Sequence, residues 1–523
     1  MDLILVQVGA IVSGLLFLAL LYNLWRKDSH SSKNVDYGSS PPQPRGAWPI
    51  IGHLHLLSGK NHIAQALGSL ADKYGPVFTL RLGLQRAVVV SSREVVMECY
   101  TTNDKGFANR PKSSAGEHLV YAHKQFGFND SPCWGEMRKL ISLEVLSSSS
   151  LKAIKKLGVS ETITTVRRLY YETRRVRPSK VVISHWIEEM TSNIVVKMIV
   201  GKRYENAAEA MEVERLRSII REVACLSGQF VVSDVIPIPL LRWMDLQGHI
   251  KGMKQVSKEL DDVIEDRIDE CMKRRVMKGE KGEEQDLMDE VLSIVDDKFL
   301  IDAARRRAII KTLVVNIILG IFDTTSVYLT RLISVLTDHR QVMQRAQAEI
   351  DTKVGKQRWV QESDLNSLLY LQATMKETLR LYPPLPLSLP HEAAQECRVA
   401  GYPIPRGTQL FVNLWKLHRD PGFWPEPERF LPERFLMTGH AHARAMDVTG
   451  QQFEFVPFGC GRRSCPGITF AMELTSFTLA RLVQGFDFGA LVEVNGDSVA
   501  VERQNPLEVL VSPRLSGQLY EQL

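Results

Sequence analysis

The chain has 523 residues, of which 44% are hydrophobic and 24% charged, so it is long enough to bury a large core. Its net charge is +5, from 65 basic and 60 acidic residues, which argues against nucleic acid as a main partner. The cysteines are odd in number and include no C-x-x-C pair, so neither a disulfide framework nor a zinc site is indicated.

The N-terminal segment predicts a membrane anchor. Residues 3–25 carry no charge and are rich in Leu, Ile and Val, which is enough to span a bilayer. Asp2 precedes this stretch and Arg26 and Lys27 follow it, a charge order opposite to that of a cleaved signal peptide, which is the alternative. The positive-inside rule places the remainder of the chain in the cytosol. We expect residues 1–27 to be a single-pass anchor in the endoplasmic reticulum membrane.

A spacer and a mainly helical body come after the anchor. Residues 28–46 are polar and end in a proline-rich run, which is typical of a semi-rigid linker. Apolar patterns at 77–82 and 87–90 predict a β-hairpin. The charged, glycine-containing stretch 273–286 predicts a surface loop. The sequence thus predicts a mainly α fold with small β-sheets, as one catalytic domain over residues 47–523.

One very long helix is predicted over residues 301–338, which contain no proline and one glycine. Its uncharged part, residues 312–322, is too short to span a membrane, so a helix buried in a large core fits better. Asp323 and Thr324 come directly after this part. A carboxylate beside a hydroxyl in an apolar helix can relay protons, although such a pair is more often an ordinary polar turn.

The run 458–467 reads F-G-C-G-R-R-S-C-P-G. A cysteine in a Gly-rich loop before a helix can present a thiolate, because backbone N–H groups and the helix N-terminus lower the thiol pKa. A thiolate is the axial ligand that favours O–O cleavage on haem iron. Cys465 is preferred over the competing Cys460 because Pro-Gly and a predicted helix come after it. Arg463 is placed to reach a haem propionate. A structural thiol is the alternative.

Glu377 and Arg380 lie three residues apart on one predicted helix face. Arg434 can join them in a buried network, since guanidinium binds carboxylate bidentately. The letters P-E-R-F occur both at 427–430 and at 432–435, and the second copy is chosen because it lies nearer the cysteine run. A surface ion pair and an exposed loop are the ordinary alternatives.

Trp134 and Arg138 lie four residues apart, on one face of a predicted helix. Both side chains donate hydrogen bonds and can hold haem propionates, while an ordinary amphipathic helix is the alternative.

In this order the motifs resemble those of the cytochrome P-450 monooxygenases of the microsomal plant type. They are P-P-x-P-x-G at 41–46, W-x-x-x-R at 134–138, D-T-T at 323–325, E-x-x-R at 377–380, P-E-R-F at 432–435 and F-G-x-G-R-R-x-C-P-G at 458–467. Finer runs, at 46–54, 243–246 and 414–421, resemble the family numbered eighty-two.

This resemblance implies a cytochrome P-450 fold behind the N-terminal transmembrane helix, a haem b cofactor and a set of site residues. These are the proximal ligand Cys465, the acid–alcohol pair Asp323 and Thr324, the structural triad Glu377, Arg380 and Arg434, and the propionate contacts Trp134, Arg138 and Arg463. Segments 117–128, 316–324 and 385–389 are expected to line the substrate pocket.

Several positions depart from the family pattern, among them residues 129–133 and Gly135, Ile321 and His391. Ile321 stands where a glycine usually opens a groove in the helix for oxygen, so its branched side chain is expected to crowd the distal face or to reshape the pocket. His391 stands where a propionate-binding arginine is common, and a donor histidine can substitute more weakly.

The leading hypothesis is a membrane-anchored haem-thiolate monooxygenase that inserts one oxygen atom from O2 into a C–H bond of a small apolar molecule. Electrons are expected from NADPH through a separate NADPH–cytochrome P-450 reductase, docked on a basic face that includes Arg138, Lys139 and Arg462. A terpenoid substrate is favoured, with flavonoids, other phenolics and alkaloids as alternatives. A haem-thiolate isomerase or dehydratase, and a haem sensor or electron carrier, are the competing functions.

Overall fold

The computed structural model of the chain describes residues 40–57, 62–119, 134–146, 148–200, 207–278, 287–298, 303–436, 446–490 and 506–523. The predicted anchor, residues 1–27, and most of the linker lie outside these residues. The described residues fall into two compact units, of which the first comprises residues up to Pro111 with Val231–Leu246 and Leu387–Lys416, and the second the rest. A single catalytic domain over residues 47–523 stays a prediction.

A four-stranded sheet organises the first unit. The predicted hairpin is confirmed: Val77–Leu82 pairs antiparallel with Gln85–Val90 across a turn at Gly83, whose φ of +62° favours glycine. Gln85–Val90 pairs in parallel with Gln409–Val412, which pairs antiparallel with His391–Glu392. Alternate strand residues and one helix supply the core of this unit, which contains Leu67, Ala71, Phe78, Leu80, Ala87 and Val89.

The first unit has further short elements. They are the strand pair Cys397–Val399 and Tyr402–Ile404 and the helices Leu54–Leu57, Ile63–Tyr74, Arg93–Tyr100, Val232–Val235 and Pro239–Met244. The short helix Leu414–Leu417 crosses the boundary in sequence: it belongs to the first unit up to Lys416, and Leu417 begins the last segment of the second unit.

The second unit is mainly helical. Its α-helices are Ser114–His118, Trp134–Leu140, Ser148–Thr173, Ile183–Val200, Ala207–Ser227, His249–Lys278, Leu287–Lys298, Ala303–Asp338, Arg340–Lys353, Leu369–Leu381, Ile468–Gly485 and Gly517–Glu521. Shorter helical turns are Ile141–Val145, Glu362–Ser367, Pro432–Phe435 and Gly461–Arg463, and one antiparallel sheet has the order Ser179–Val182, Glu508–Pro513, Phe486–Ala490. The predicted class, mainly α with small β-sheets, is confirmed for the described residues.

The predicted long helix runs from Ala303 to Asp338, which is 36 residues. Within the part of the chain that the structure describes, its segment Arg306–Asp338 is the one helix long and apolar enough to cross a bilayer. Side chains along it, including Val315 and Leu332, are nevertheless fully buried among the other elements of the second unit. The long helix is therefore a core helix, as predicted.

The loop predicted over residues 273–286 is wrong at its start. Helix His249–Lys278 continues through residues 273–278, and residues 279–286 lie outside the described part. Lysine, arginine and methionine are good helix formers, so a charged segment without glycine or proline extends the helix rather than ending it.

Candidate active site

The cysteine loop, residues 458–467, closes on itself. The backbone N–H of Cys465 donates to the carbonyl of Phe458 at 2.9 Å, so the two ends of the loop are held together. Gly459 and Gly461 have φ angles of +70° and +69°, a region that side chains other than glycine rarely adopt. The glycines of the sequence run thus let the chain turn back and deliver Cys465 to the end of the loop.

The two cysteines of this loop lie in different surroundings. Cys460 is 2% exposed, and a side chain added at Gly450 would come within 3.0 Å of its Cβ. Cys465 is partly exposed. Cys465 is therefore the cysteine of this loop that a ligand from outside the chain can reach, whereas Cys460 is buried.

The predicted helix after the loop begins at Ile468. Burial raises the pKa of the Cys465 thiol, although a hydrogen bond from the Gly467 backbone and the positive charge of Arg138 act in the opposite direction. The prediction of a lowered pKa is therefore wrong for the free thiol, because desolvation outweighs the Gly467 N–H and the charge of Arg138. A metal ion deprotonates a thiol that coordinates it, so burial does not prevent Cys465 from serving as a ligand.

Helix Trp134–Leu140 brings two further predicted residues to the loop. The guanidinium of Arg138 donates to both the carbonyl and the hydroxyl of Ser464. The guanidinium of Arg463 lies 4.1 Å over the centre of the Trp134 ring. Trp134 is buried, and its indole N–H has no hydrogen-bond partner among the described residues. A buried donor without a partner is costly, so this site is suited to an acceptor that the chain does not supply.

The structure brings Glu377, Arg380 and Arg434 together in one buried network. Glu377 and Arg380 are both 0% exposed, on helix Leu369–Leu381. Arg380 binds the Glu377 carboxylate with two nitrogens, at 2.8 and 2.9 Å. Arg434 donates to the same carboxylate at 3.0 Å, and the Leu431 backbone N–H donates to it at 2.9 Å. The buried charge of Glu377 is thus matched by two cations and four hydrogen bonds.

The second P-E-R-F copy supplies the arginine of this network. Arg434 lies 2% exposed against Glu377. Arg429 of the first copy is exposed and pairs with Glu426 at 2.6 Å. The backbone carbonyl of Arg429 still accepts hydrogen bonds from Arg380 and Arg434. The two copies therefore have different parts: one contributes a side chain and the other backbone oxygens.

The acid–alcohol pair lies at an open face of the long helix. Thr324 donates its hydroxyl to the Gly320 carbonyl at 2.7 Å, and both Asp323 and Thr324 are partly exposed. A side chain built at Gly320 would meet no atom within 4 Å. Ile321 is 9% exposed, so most of its side chain is packed against protein. Whether it also crowds a ligand at this face stays a prediction.

A family model described as Cytochrome P450 matches residues 41–513 of the chain. The chain belongs to the cytochrome P450 family. It is 45% identical to vinorine hydroxylase from Rauvolfia serpentina over the whole of both chains. It is 42% identical to nicotine N-demethylase CYP82E3 from Nicotiana tomentosiformis and 42% identical to flavonoid-6-hydroxylase from Mentha piperita, in each case over 98% of this chain and 99% of the relative.

Among solved structures, a zebra fish cytochrome P450 with progesterone matches with a TM-score of 0.66 and 25% identity, over 86% of this chain and 99% of that chain. The predicted likeness to the family numbered eighty-two is confirmed by the name of the Nicotiana relative. Membership of the P450 family makes the chain a monooxygenase with a cysteine-ligated haem, which uses O2 and a redox partner.

The residues around Cys465 fit a haem. The charge of Arg138, which donates to the neighbouring Ser464, acts on the Cys465 sulfur. The Arg463 guanidinium lies over the Trp134 ring, whose indole N–H has no partner among the described residues. Haem propionates are carboxylates and accept hydrogen bonds from such donors. The donor set therefore matches both the metal and the acidic edge of the cofactor.

His391 lies in the first unit and is buried. Its ring nitrogens lie 2.8 Å from the Phe107 carbonyl and 3.3 Å from the Tyr100 hydroxyl, so both already have partners inside that unit. The role of His391 at a propionate stays a prediction. Sequence reasoning missed its buried neighbour Arg110, which donates to the carbonyls of residues 389–390 and whose pKa is lowered to about 10 by burial.

His418 is the other residue that sequence reasoning missed. It is 0% exposed, its carbonyl accepts from Arg380 at 2.8 Å, and its ring Nε2 accepts the Val456 backbone N–H at 3.1 Å. Burial, together with the positive charges of Arg380 and Arg419, lowers the pKa of His418 to about 3. Protonation of Nε2 would also break the bond to Val456, so the folded protein keeps this ring neutral.

We expect His418 to make the fold sensitive to acid. Its pKa is 6.5 ordinarily and about 3 when folded, so between these values the unfolded chain binds a proton that the folded chain does not. The stabilisation is complete above pH 6.5 and is lost as the pH falls towards 3, at about 1.4 kcal/mol per pH unit at most. His418→Gln should flatten the change in the urea midpoint between pH 7 and pH 5. Equal changes in both proteins would contradict this assignment.

Proposed function

We propose that this P450 oxidises a plant alkaloid at an unactivated C–H bond. The observation that carries the proposal is 45% identity to vinorine hydroxylase over the full length of both chains. A second alkaloid-named relative, nicotine N-demethylase, supports the same class. The relatives reported above name no terpenoid, so the expected terpenoid gives way to an alkaloid. A flavonoid is the second candidate, favoured by the likeness to flavonoid-6-hydroxylase.

In this proposal Cys465 holds the haem iron, while Trp134, Arg138 and Arg463 hold the propionates. The haem, once bound and reduced, supplies the activation of O2 and the insertion of one oxygen atom. Partial burial of the Cys465 sulfur limits the access of water to this ligand. The guanidinium groups of Arg138 and Arg463 would lower the free-energy cost of burying the thiolate and the haem propionates.

Asp323 and Thr324 are proposed to supply protons to the reaction. The Thr324 hydroxyl donates to the Gly320 carbonyl and Thr324 is partly exposed, so it can exchange this bond for one to a ligand. Asp323, the adjacent partly exposed carboxyl, connects the hydroxyl to solvent protons. The pair would then pass protons while the surrounding apolar helix keeps bulk water away.

The proposal also includes the redox partner and the location. The chain shows no G-x-G-x-x-G run after a strand that would bind NADPH, so a separate NADPH–cytochrome P-450 reductase is the proposed electron donor. Its proposed docking face includes Arg138, Lys139 and Arg462. Residues 1–27 would anchor the protein in the endoplasmic reticulum membrane with the catalytic part in the cytosol.

The substrate class is tested with microsomes that contain this P450 and its reductase. Vinorine, nicotine and a flavone are each supplied with NADPH, and oxidised products are identified by mass spectrometry. We expect an oxygenated alkaloid product that requires NADPH and O2. Product from the flavone alone would replace the alkaloid by the second candidate, and turnover without O2 would refute oxygenation itself.

Thr324→Val is expected to lower product formation by about a hundredfold, since a positioned proton donor contributes about this much to rate. NADPH consumption should continue, because haem binding does not involve this hydroxyl. Thr325→Val is the matched control, since Thr325 is buried rather than at the open face. Product per NADPH consumed is the measurement, and an equal loss in both variants would show that Thr324 has no special part.

A further inference from the structure

The buried residue His418 connects two parts of the second unit that belong to different sequence motifs, the triad and the cysteine loop. The His418 backbone carbonyl accepts a hydrogen bond from Arg380, a member of the triad, at 2.8 Å. The His418 ring accepts the Val456 backbone N–H at 3.1 Å. Each partner lies 38 residues away in sequence, one on either side. His418 is therefore a bridge between the triad and the segment that leads into the cysteine loop.

The bond to Val456 bears directly on the base of the cysteine loop. The Val456 carbonyl accepts the Gly459 N–H at 2.9 Å, and the Phe458 carbonyl accepts the Cys465 N–H at 2.9 Å. Consecutive hydrogen bonds thus run from the His418 ring to the backbone of Cys465. A shift of Val456 would move the turn on which the loop closes.

Packing holds the His418 ring in the orientation that this bond needs. The ring lies 5.5 Å from that of Phe455, which in turn contacts the rings of Phe435 at 5.5 Å and Trp424 at 6.1 Å. Trp424 also stacks under the Arg380 guanidinium at 5.2 Å. The same aromatic cluster therefore contacts both ends of the bridge, which leaves the imidazole little room to rotate.

We propose that His418 is a positioning residue, which fixes the Cys465 sulfur relative to the triad by holding the Val456 N–H. This inference rests on the proposed role of Cys465 as the haem ligand. If His418 only filled space in the core, a substitution that removes the acceptor of the Val456 N–H would leave the cysteine loop unchanged. One imidazole thereby links the triad to the backbone that positions the metal ligand.

Two amide substitutions separate these possibilities in the full-length holoenzyme. His418→Gln places an acceptor at about the reach of Nε2, whereas in His418→Asn the acceptor stops at about the reach of Nδ1, short of Val456. Both variants keep the backbone carbonyl that Arg380 needs. Hydrogen–deuterium exchange is followed at Val456 and over residues 458–467, together with the carbon monoxide difference spectrum and the haem reduction potential.

We expect Val456 and the loop to exchange about tenfold faster in His418→Asn than in His418→Gln, as for the loss of one buried hydrogen bond. The carbon monoxide spectrum of the Asn variant should also change faster from the thiolate type to that of the inactive form without thiolate ligation. Its haem reduction potential should differ from that of the Gln variant. Equal loop protection, spectra and potentials in the two variants overturn the inference while the role of Cys465 stands.

Two further results are decisive. If the Asn variant does not fold, the wild-type protein decides: a Val456 amide that exchanges as fast as an exposed one overturns the inference, and strong protection there supports it. If the wild-type protein itself gives no thiolate-type spectrum, the proposed ligand fails and this inference fails with it, a result distinct from equal behaviour of the two variants.

Discussion

Cys465→Ala should abolish both the thiolate-type carbon monoxide spectrum and all NADPH-dependent oxidation. The substitution removes the sulfur that the closed loop presents, and no other residue of the loop has a comparable position: Cys460 is 2% exposed and packed against Gly450. Activity is expected to fall to background rather than by a factor, because the axial thiolate is what directs haem towards O–O cleavage.

Cys460→Ala is the matched control. It removes a buried sulfur from the same loop, so the cost is that of a small cavity, about 1 kcal/mol. The spectrum and the activity should survive. Difference spectra of dithionite-reduced microsomes with carbon monoxide measure both variants alongside the wild-type protein. A spectrum lost in Cys460→Ala and kept in Cys465→Ala would assign the ligand to the other cysteine.

The parts of this molecule that the sequence predicted are those set by local pattern. The long helix follows from an apolar stretch without proline, and the structure places its start at Ala303. The hairpin at Val77–Leu82 follows from alternation and a glycine turn. Local pattern also explains why the loop predicted from residue 273 is wrong at its start: residues 273–278 are mostly charged, but they are residue types that favour a helix.

The parts that escaped prediction depend on contacts between distant residues. His418 lies in the run 414–421, which carries a family resemblance but no sign of a contact, and its importance comes from Arg380 and Val456, each 38 residues away. The direction of the Cys465 pKa could not be read from the loop, since the helix N-terminus is visible in sequence and desolvation is not. Burial by the whole fold decides both cases.

Arg434→Ala should have the second large effect, a loss of about 3–5 kcal/mol of stability, the usual cost of breaking a buried ion pair. Arg434 is 2% exposed and Glu377 is 0% exposed, so the carboxylate that loses its partner lies away from bulk solvent. The Glu377 oxygen that Arg434 binds would keep two donors, from Arg380 and Leu431. The carboxylate would remain buried with one cation fewer.

The first copy of the P-E-R-F letters provides a matched control. Arg429→Ala changes the same residue type five positions earlier, where the side chain is 65% exposed and pairs with the surface Glu426. Its backbone carbonyl, which the triad uses, is kept. Exposed ion pairs contribute little, so we expect a change within about 0.5 kcal/mol.

Arg434→Lys completes the series and separates charge from geometry. Lysine keeps the positive charge but cannot form the planar fork with which Arg434 reaches both Glu377 and the carbonyls of Pro425 and Arg429. We therefore expect stability between that of the wild-type protein and Arg434→Ala. Urea midpoints of the purified holoenzymes, with haem content measured in parallel, rank the variants. If Arg429→Ala destabilises the protein as much as Arg434→Ala, the contact of the Arg434 side chain with Glu377 does not determine stability. The backbone conformation of the two P-E-R-F copies does so instead.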